Sequence, residues 1–337
     1  MAADPSQLHP QPSVRTPKRV LVTGAAGFIG GHVVEALLEQ DPEIEVLSFD
    51  ALGYAGRRDN LGAALDNPRH RLFVGDVALD SDLDLAFAGF QPDAVVHLAA
   101  ETHVDRSLQT PPLFFVSNAI GTERLLAAAR RHGDPLVLLA STDEVYGQLG
   151  LNDAPWTEDA PLQPRSPYSI SKAAGDWLGQ AAVQTYGQRV VISRASNTFG
   201  PRQHTEKLIP RMITAAWDRQ PLPLYGDGLH IRDWLYIDDH VAGLLTLLRQ
   251  GQPGLAYNLG GGAERDNRSV LLAILEILDR PAALITAVAD RPGHDRRYAL
   301  DCSRVHALGW RPQRRFEDAL AETAEWYALH QTWWRGH

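Results

Sequence analysis

KRVLVTGAAGFIGGHVVEALLE (18–39) leads an aliphatic stretch through three regularly spaced glycines into a repeat of apolar residues. The stretch predicts a strand buried on both faces, and the repeat predicts a helix. Gly24 permits the tight turn, Gly27 lets a pyrophosphate approach backbone amides at a helix N-terminus, and Gly30 packs the helix onto the strand. The spacing is GxxGxxG, so context carries the reading. A strand precedes, a helix follows, and a second strand, IEVLSFD (44–50), ends in Asp50, whose carboxylate can take the ribose hydroxyls of NAD. Asp50 disfavours a 2′-phosphate, while Arg57 and Arg58 close by leave NADP open.

Outward from this unit, RLFVGD (71–76), DAVVHLAA (93–100), PLVLLAS (135–141) and RVVISRAS (189–196) alternate with amphipathic stretches such as PPLFFVSNAIGTERLLAAARRH (111–132). That alternation predicts an α/β, Rossmann-type doubly wound parallel sheet with helices on both faces. After Asn197 the pattern loosens into Pro- and Gly-rich breaks, which predicts a smaller α/β lobe. The expected division is a disordered polar arm over 1–17, a cofactor domain carrying the catalytic residues over 18–196, and a substrate lobe over 197–337. The lobe is expected to interleave with the end of the sheet. The arm lacks the basic start and apolar centre of a signal peptide, which predicts a cytoplasmic protein.

Composition narrows the partners. The 337 residues are 44% hydrophobic, enough for a large core, and the net charge of -9 argues against nucleic acid or an anionic membrane surface. An anionic substrate would need a local cluster of Arg and Lys. Cys302, the single cysteine, has no partner for an internal disulfide; no run is long enough to span a bilayer, and no metal is expected.

Two further motifs bear chemistry. In SPYSISKAAGDWL (166–178), Tyr168 and Lys172 share one helix face, so the ammonium can lower the phenol's pKa and hold a nicotinamide ribose. In STDEVYG (141–147), Asp143 and Glu144 stand side by side at the end of a core strand, where α/β sites form. Like charges raise the pKa of one member, which leaves it protonated to act as an acid.

These motifs, with HLAAETHVDRS (97–107), EKLIP (206–210), IRDWLYIDDH (231–240) and DRPGHDRRYALD (290–301), follow one another in an order that resembles the extended short-chain dehydrogenase/reductases over about 18–334. Within them the closer likeness is to the nucleotide-sugar 4,6-dehydratases. The glycine turn and YxxxK mark only the superfamily; STDEVYG with DRPGHDRRY is more specific. The resemblance implies an NAD-dependent lyase of deoxysugar biosynthesis, with dTDP-glucose the expected substrate. C4 is oxidised, water leaves across C5 and C6, and hydride returns to C6, with Tyr168 taking the C4 hydroxyl proton, Glu144 the base at C5 and Asp143 the acid at C6. A homodimer through helices 111–132 and 166–186 is also implied.

By the same resemblance, Phe28, Ile29, Ala51, Leu52 and Gly53 adjoin the cofactor. Asp76 and Val77 flank its adenine, while Leu98, Ala99, Ala100, Thr102 and Ser117 line its nicotinamide half. Thr142 hydrogen-bonds the sugar, with Asn197 and Thr102 beside it. Lys207, Leu208, Pro223, Leu224, Tyr225, Arg232, Asn267, Asp290, Arg291, Pro292, Gly293 and His294 hold the nucleotide diphosphate, with Lys207, Arg232 and Arg291 supplying positive charge. His103 reads either as an active-site neighbour or as a structural histidine, and Trp310, Trp326, Trp333 and Trp334 as packing or a C-terminal docking surface. Two positions depart from the pattern: Thr198 and Phe199 stand where Asn-Tyr is usual, which puts a cofactor contact at Thr198 in question, and Arg57 replaces an Asn that often follows YAG. The alternative is an NAD-dependent epimerase or decarboxylase on a UDP-sugar, which needs no adjacent acids. A non-catalytic NAD-binding regulator is third.

Overall fold

The computed structural model describes residues 14–290 and 293–336. Its central sheet is made of β1 (Arg19–Thr23), β2 (Glu45–Asp50), β3 (His70–Val74), β4 (Ala94–His97), β5 (Leu136–Thr142), β6 (Val190–Ala195) and β10 (Ala256–Leu259). The strands lie in the order β10-β6-β5-β4-β1-β2-β3 with every pairing parallel. This is the doubly wound Rossmann-type order, extended at one edge by β10. Val20 and Val22 of β1 pack into one core layer and Leu21 into the other, as the two-residue period of a strand requires. Being buried on both faces is why these strands read as unbroken apolar runs.

The helix Phe28–Gln40 follows β1 directly, and Pro167–Tyr186 crosses from β5 to β6. The latter begins with a capping box between Ser166 and Ser169, carries Pro in its first turn, and ends at Gly187 in the left-handed region. The stretch 111–132 forms a helical path interrupted by a π turn, as Pro111–Phe115, Val116–Ile120 and Gly121–Arg131.

Past β6 the chain builds two small sheets. In one, β9 (Ile231–Tyr236) lies between β7 (Asn197–Phe199), parallel to it, and β11 (Glu264–Asp266), antiparallel. In the other, β8 (Leu222–Tyr225) pairs with β12 (Ile285–Val288) in parallel. Among the described residues no helix is long and apolar enough to cross a membrane. Residues 1–13 of the expected arm lie outside the described residues.

Candidate active site

The strand order reverses between β1 and β4, and the ends of the strands there open into a cavity of about 380 Å³. Gly24 has φ +66°, and a Cβ there would lie 2.6 Å from the Ala99 nitrogen. A Cβ on Gly30 would lie 2.1 Å from the Gly24 oxygen. These two glycines are therefore required by the close packing of turn, helix and β4. The helix Phe28–Gln40 has no side-chain cap and no acid in its first turn, so its N-terminal amides are suited to an anion.

Asp50 is buried, its carboxylate accepting from the Ala26 and Leu52 amides at 2.9 and 2.8 Å. Burial raises its pKa, against those two hydrogen bonds. A carboxylate fixed in this way keeps lone pairs for ribose hydroxyls. Gly24, Gly27, Phe28, Ile29 and Gly30 line the cavity, as do Ala51, Gly53, Asp76 and Val77; Leu52 does not line it and serves to hold Asp50. Toward β4 and β5 the lining passes through Leu98, Ala99, Ala100, Thr102 and Ser117. A glycine cradle that any Cβ would fill, opposite an acid at the end of β2, fits NAD.

Behind this wall the sequence hides a determinant. His97 is buried between Thr23, whose Oγ1 lies 2.7 Å from Nδ1, and Thr122, whose Oγ1 lies 3.1 Å from Nε2. Thr122 donates onward to the Asn118 carbonyl and Thr23 accepts from the Ala99 amide, so a neutral ring with hydrogen on Nε2 satisfies every group. Burial pushes His97 down to about 3.

Thr142, Asp143, Glu144, Tyr168 and Lys172 meet at the other end of the cavity. Thr142 caps the short helix Asp143–Tyr146; its hydroxyl accepts from the Glu144 amide at 3.3 Å and donates to Asp143 Oδ1 at 3.2 Å. Asp143 is buried, and its pKa is raised well above the ordinary value by burial first and then by Glu144 and Asp233.

Tyr168 is also raised far above its ordinary value, by burial and then by Glu144, against a hydrogen bond with Thr142. Lys172 donates its Nζ to the Ala140 carbonyl at 2.6 Å and is pulled down to about 8 by burial. The helical spacing does put both side chains at the site. The expected lowering of the phenol by Lys172 is absent here, because burial dominates and the ammonium is drawn to a strand carbonyl.

Of the expected substrate residues, Thr102, Thr142, Asn197 and Lys207 line this cavity, and Lys207 Nζ donates to the Thr102 carbonyl at 2.7 Å. Leu208, Pro223, Leu224, Tyr225, Arg232, Asn267, Asp290, Gly293 and His294 do not line it. Arg232 nevertheless acts electrostatically on Asp143, and Tyr298, on which it stacks, feels Glu144, so Arg232 borders the acid pair. Leu208 opens the helix Leu208–Trp217, while Leu224 is committed to the core. Tyr225 packs edge-on against His294. Asn267 is buried with its side-chain oxygen aimed at no donor. Asp290 holds two stacked rings, His230 at 3.3 Å and His294 at 2.7 Å. Arg291 and Pro292 lie outside the described residues.

Thr198 lines the cavity and bonds the His240 ring nitrogen at 2.8 Å. His103 caps the helix Val104–Gln109 by accepting from the Arg106 amide, and lines a shallower pocket beside the main one. Sequence reading missed Tyr54, Arg202, His204 and Glu206, which also line the main cavity. Tyr54 donates to Glu206 at 2.9 Å beneath the Arg106 guanidinium. Tyr54 and Glu206 fell within quoted motifs, YAG and EKLIP, without being singled out; Arg202 and His204 come from a loop with no local signature.

Residues 21–323 match the family described as GDP-mannose 4,6 dehydratase. A dTDP-glucose 4,6-dehydratase of Streptomyces griseus is 48% identical over 318 residues, 94% of this chain and 95% of that protein. DesIV of Streptomyces venezuelae, a dTDP-glucose 4,6-dehydratase solved with NAD and TYD bound, superposes with a TM-score of 0.91 at 44% identity, covering 94% of this chain and 99% of that one. A UDP-glucose 4-epimerase of Thermus thermophilus solved with NAD is more distant, at 31% identity and a TM-score of 0.86 over 93% of this chain and 99% of its own.

Proposed function

From the premise that the chain belongs to the GDP-mannose 4,6-dehydratase family of nucleotide-sugar dehydratases, we infer that it is an NAD-dependent hydro-lyase converting dTDP-glucose to dTDP-4-keto-6-deoxyglucose in deoxysugar biosynthesis. The observation that carries this reading over epimerisation is the buried Asp143 beside Glu144 in reach of the Tyr168 and Lys172 site. An epimerase has no use for a second, protonated carboxyl group at that place.

The C5 proton of a hexose is acidic only once C4 is a ketone, so oxidation comes first. NAD held by the glycine turn and Asp50 would supply a hydride acceptor for C4 and a hydride donor for C6, and its positive ring would favour the Tyr168 phenolate. Tyr168 receives the C4 hydroxyl proton, oriented by Thr142. Glu144 then removes the proton from C5, and Asp143 gives its own to the departing C6 hydroxyl. Reprotonation at C5 completes a cycle without net redox change.

The cofactor residues and catalytic set belong to 18–196, and the nucleotide diphosphate is held mainly from 197–337 by Lys207, Arg232, Asn267 and the segment around His294. The chain works as a cytoplasmic homodimer; support for the dimer comes from exposed Phe115, Val116 and Ile120 on one helical path and Ile170 and Trp177 on Pro167–Tyr186.

The test is Glu144→Gln against Asp143→Asn. Glu144→Gln is expected to oxidise C4, accumulate reduced cofactor and fail to exchange the C5 hydrogen with deuterated water. Asp143→Asn is expected to retain that exchange and lose elimination, each variant falling about 10²- to 10⁴-fold in turnover. Parental turnover with normal exchange in Glu144→Gln would remove the base assignment.

A further inference from the structure

We propose that Arg57 and Trp333 form a clasp that seats the C-terminal helix against the cofactor cavity and slows the release of NAD. Arg57 stands on the glycine-turn side: its backbone amide donates to the Ala26 carbonyl at 2.9 Å, within the turn itself. Its guanidinium reaches in the other direction, donating Nη1 to the Trp333 carbonyl at 2.7 Å and lying 5.0 Å from the centre of the Trp333 ring. Both residues line the cavity, so the contact is part of its wall.

The far end of the clasp is firmly anchored. Trp333 packs edge-on against Trp326 at 5.1 Å, Trp334 donates its indole nitrogen to the Tyr327 carbonyl at 2.8 Å, and Arg335 pairs with Asp218. Tyr327 in turn donates its hydroxyl to the carbonyl of Gln203, another cavity residue. The short helix Gln331–Arg335 is thus fixed to the substrate lobe through its aromatic residues, and to the cofactor turn through Arg57. A dinucleotide leaving past the glycine turn has to displace this contact or wait for it to open. The reaction uses the same cofactor in both half-reactions and gains from such retention.

This proposal rests on NAD as the resident cofactor, and the experiment separates the two. The protein is purified, its bound nucleotide is identified after denaturation, and the rate of NAD release is followed after dilution into a scavenging enzyme. Arg57→Asn, which loses both the charged hydrogen bond and the cation–π contact, is expected to release NAD on the order of tenfold faster, and Trp333→Ala, which keeps the backbone carbonyl and loses only the cation–π contact, about threefold faster. Arg57→Lys, which keeps the charge without the fork, falls between. Because the Trp333 ring meets the cofactor turn only through the guanidinium that Arg57→Asn already removes, the double variant is expected to match Arg57→Asn within about twofold. Unfolding midpoints in excess NAD distinguish this from general destabilisation, and if Trp333→Ala fails to fold, Arg57→Asn alone decides. Absence of NAD from the purified protein would overturn the cofactor reading; NAD present but released at the parental rate by Arg57→Asn would overturn the clasp alone.

Discussion

Tyr146 holds the catalytic turn from behind. It is fully buried, donates its hydroxyl to Asn258 Oδ1 at 2.7 Å and accepts from Arg194 Nη1 at 2.8 Å. Arg194 is paired with Asp176 at 2.6 Å, each side chain 2% exposed, and Asn258 donates to the Trp156 and Asp301 carbonyls. Burial pushes the Tyr146 phenol up to about 12, so it stays a neutral donor throughout the working range. Asp143 and Glu144 ride on the same short helix, Asp143–Tyr146, so the network sets where the proposed acid and base stand. Tyr146→Phe leaves Asn258 and Arg194 each short of a partner, at a cost of about 1–3 kcal/mol. We expect a matching loss in urea unfolding and a fall in kcat of about tenfold with KM little changed, since the displaced groups act on the reacting carbons. Parental kcat in the Phe variant would show that other contacts fix the turn.

At the scale of elements, the π turn Val116–Ile120 brings function into a helix that periodicity reads as uniform. It turns Ser117 toward the cavity, and Asn118 grips the Glu101 backbone at both its amide and carbonyl while donating to Ser171. A π turn adds one residue without interrupting the apolar stripe, so the sequence pattern does not reveal it. The glycine turn was legible for the opposite reason: Gly24 and Gly30 are dictated by local sterics that few other residues satisfy. The outer faces of the same helices carry apolar side chains in water, Trp177 at 51% exposure and Ile120 at 45%. If those faces pair two copies, Trp177→Glu combined with Ile120→Glu buries like charges across the interface and shifts the dimer to monomer by at least about tenfold in dissociation constant. Light scattering across a concentration series checks this, and an unchanged mass would place the interface elsewhere.

Across the whole molecule, legibility followed sequence separation. The cofactor half could be read because strand, turn and acid lie on adjoining units, and the acid pair because it is contiguous. The residues proposed to hold the substrate come from β8, β9 and loops far apart in the chain, and Arg57 meets Trp333 across 276 positions, which no spacing rule reports. Burial imposes another whole-molecule property. His97 and His240 are 4% and 2% exposed and are pushed by burial to about 3 and about 4, so both fold as neutral rings. The unfolded chain binds a proton at each below about pH 6.5, so stability is lost as pH falls from there toward the folded values. Asp50, Asp143 and Asp233, with raised pKa values, act in the opposite sense: they hold protons in the fold that the unfolded chain releases, which favours folding as pH drops toward 3.8. The histidine contribution is therefore best isolated by difference. His240→Asn can keep the hydrogen bond to Thr198 while removing the titrating ring. Between pH 7.5 and 5 we expect the parent to lose about 2 kcal/mol more unfolding free energy than this variant, the cost of one buried neutral imidazole. Equal losses in urea titrations of the two proteins would mean that His240 gains its proton in the folded state at an ordinary pH.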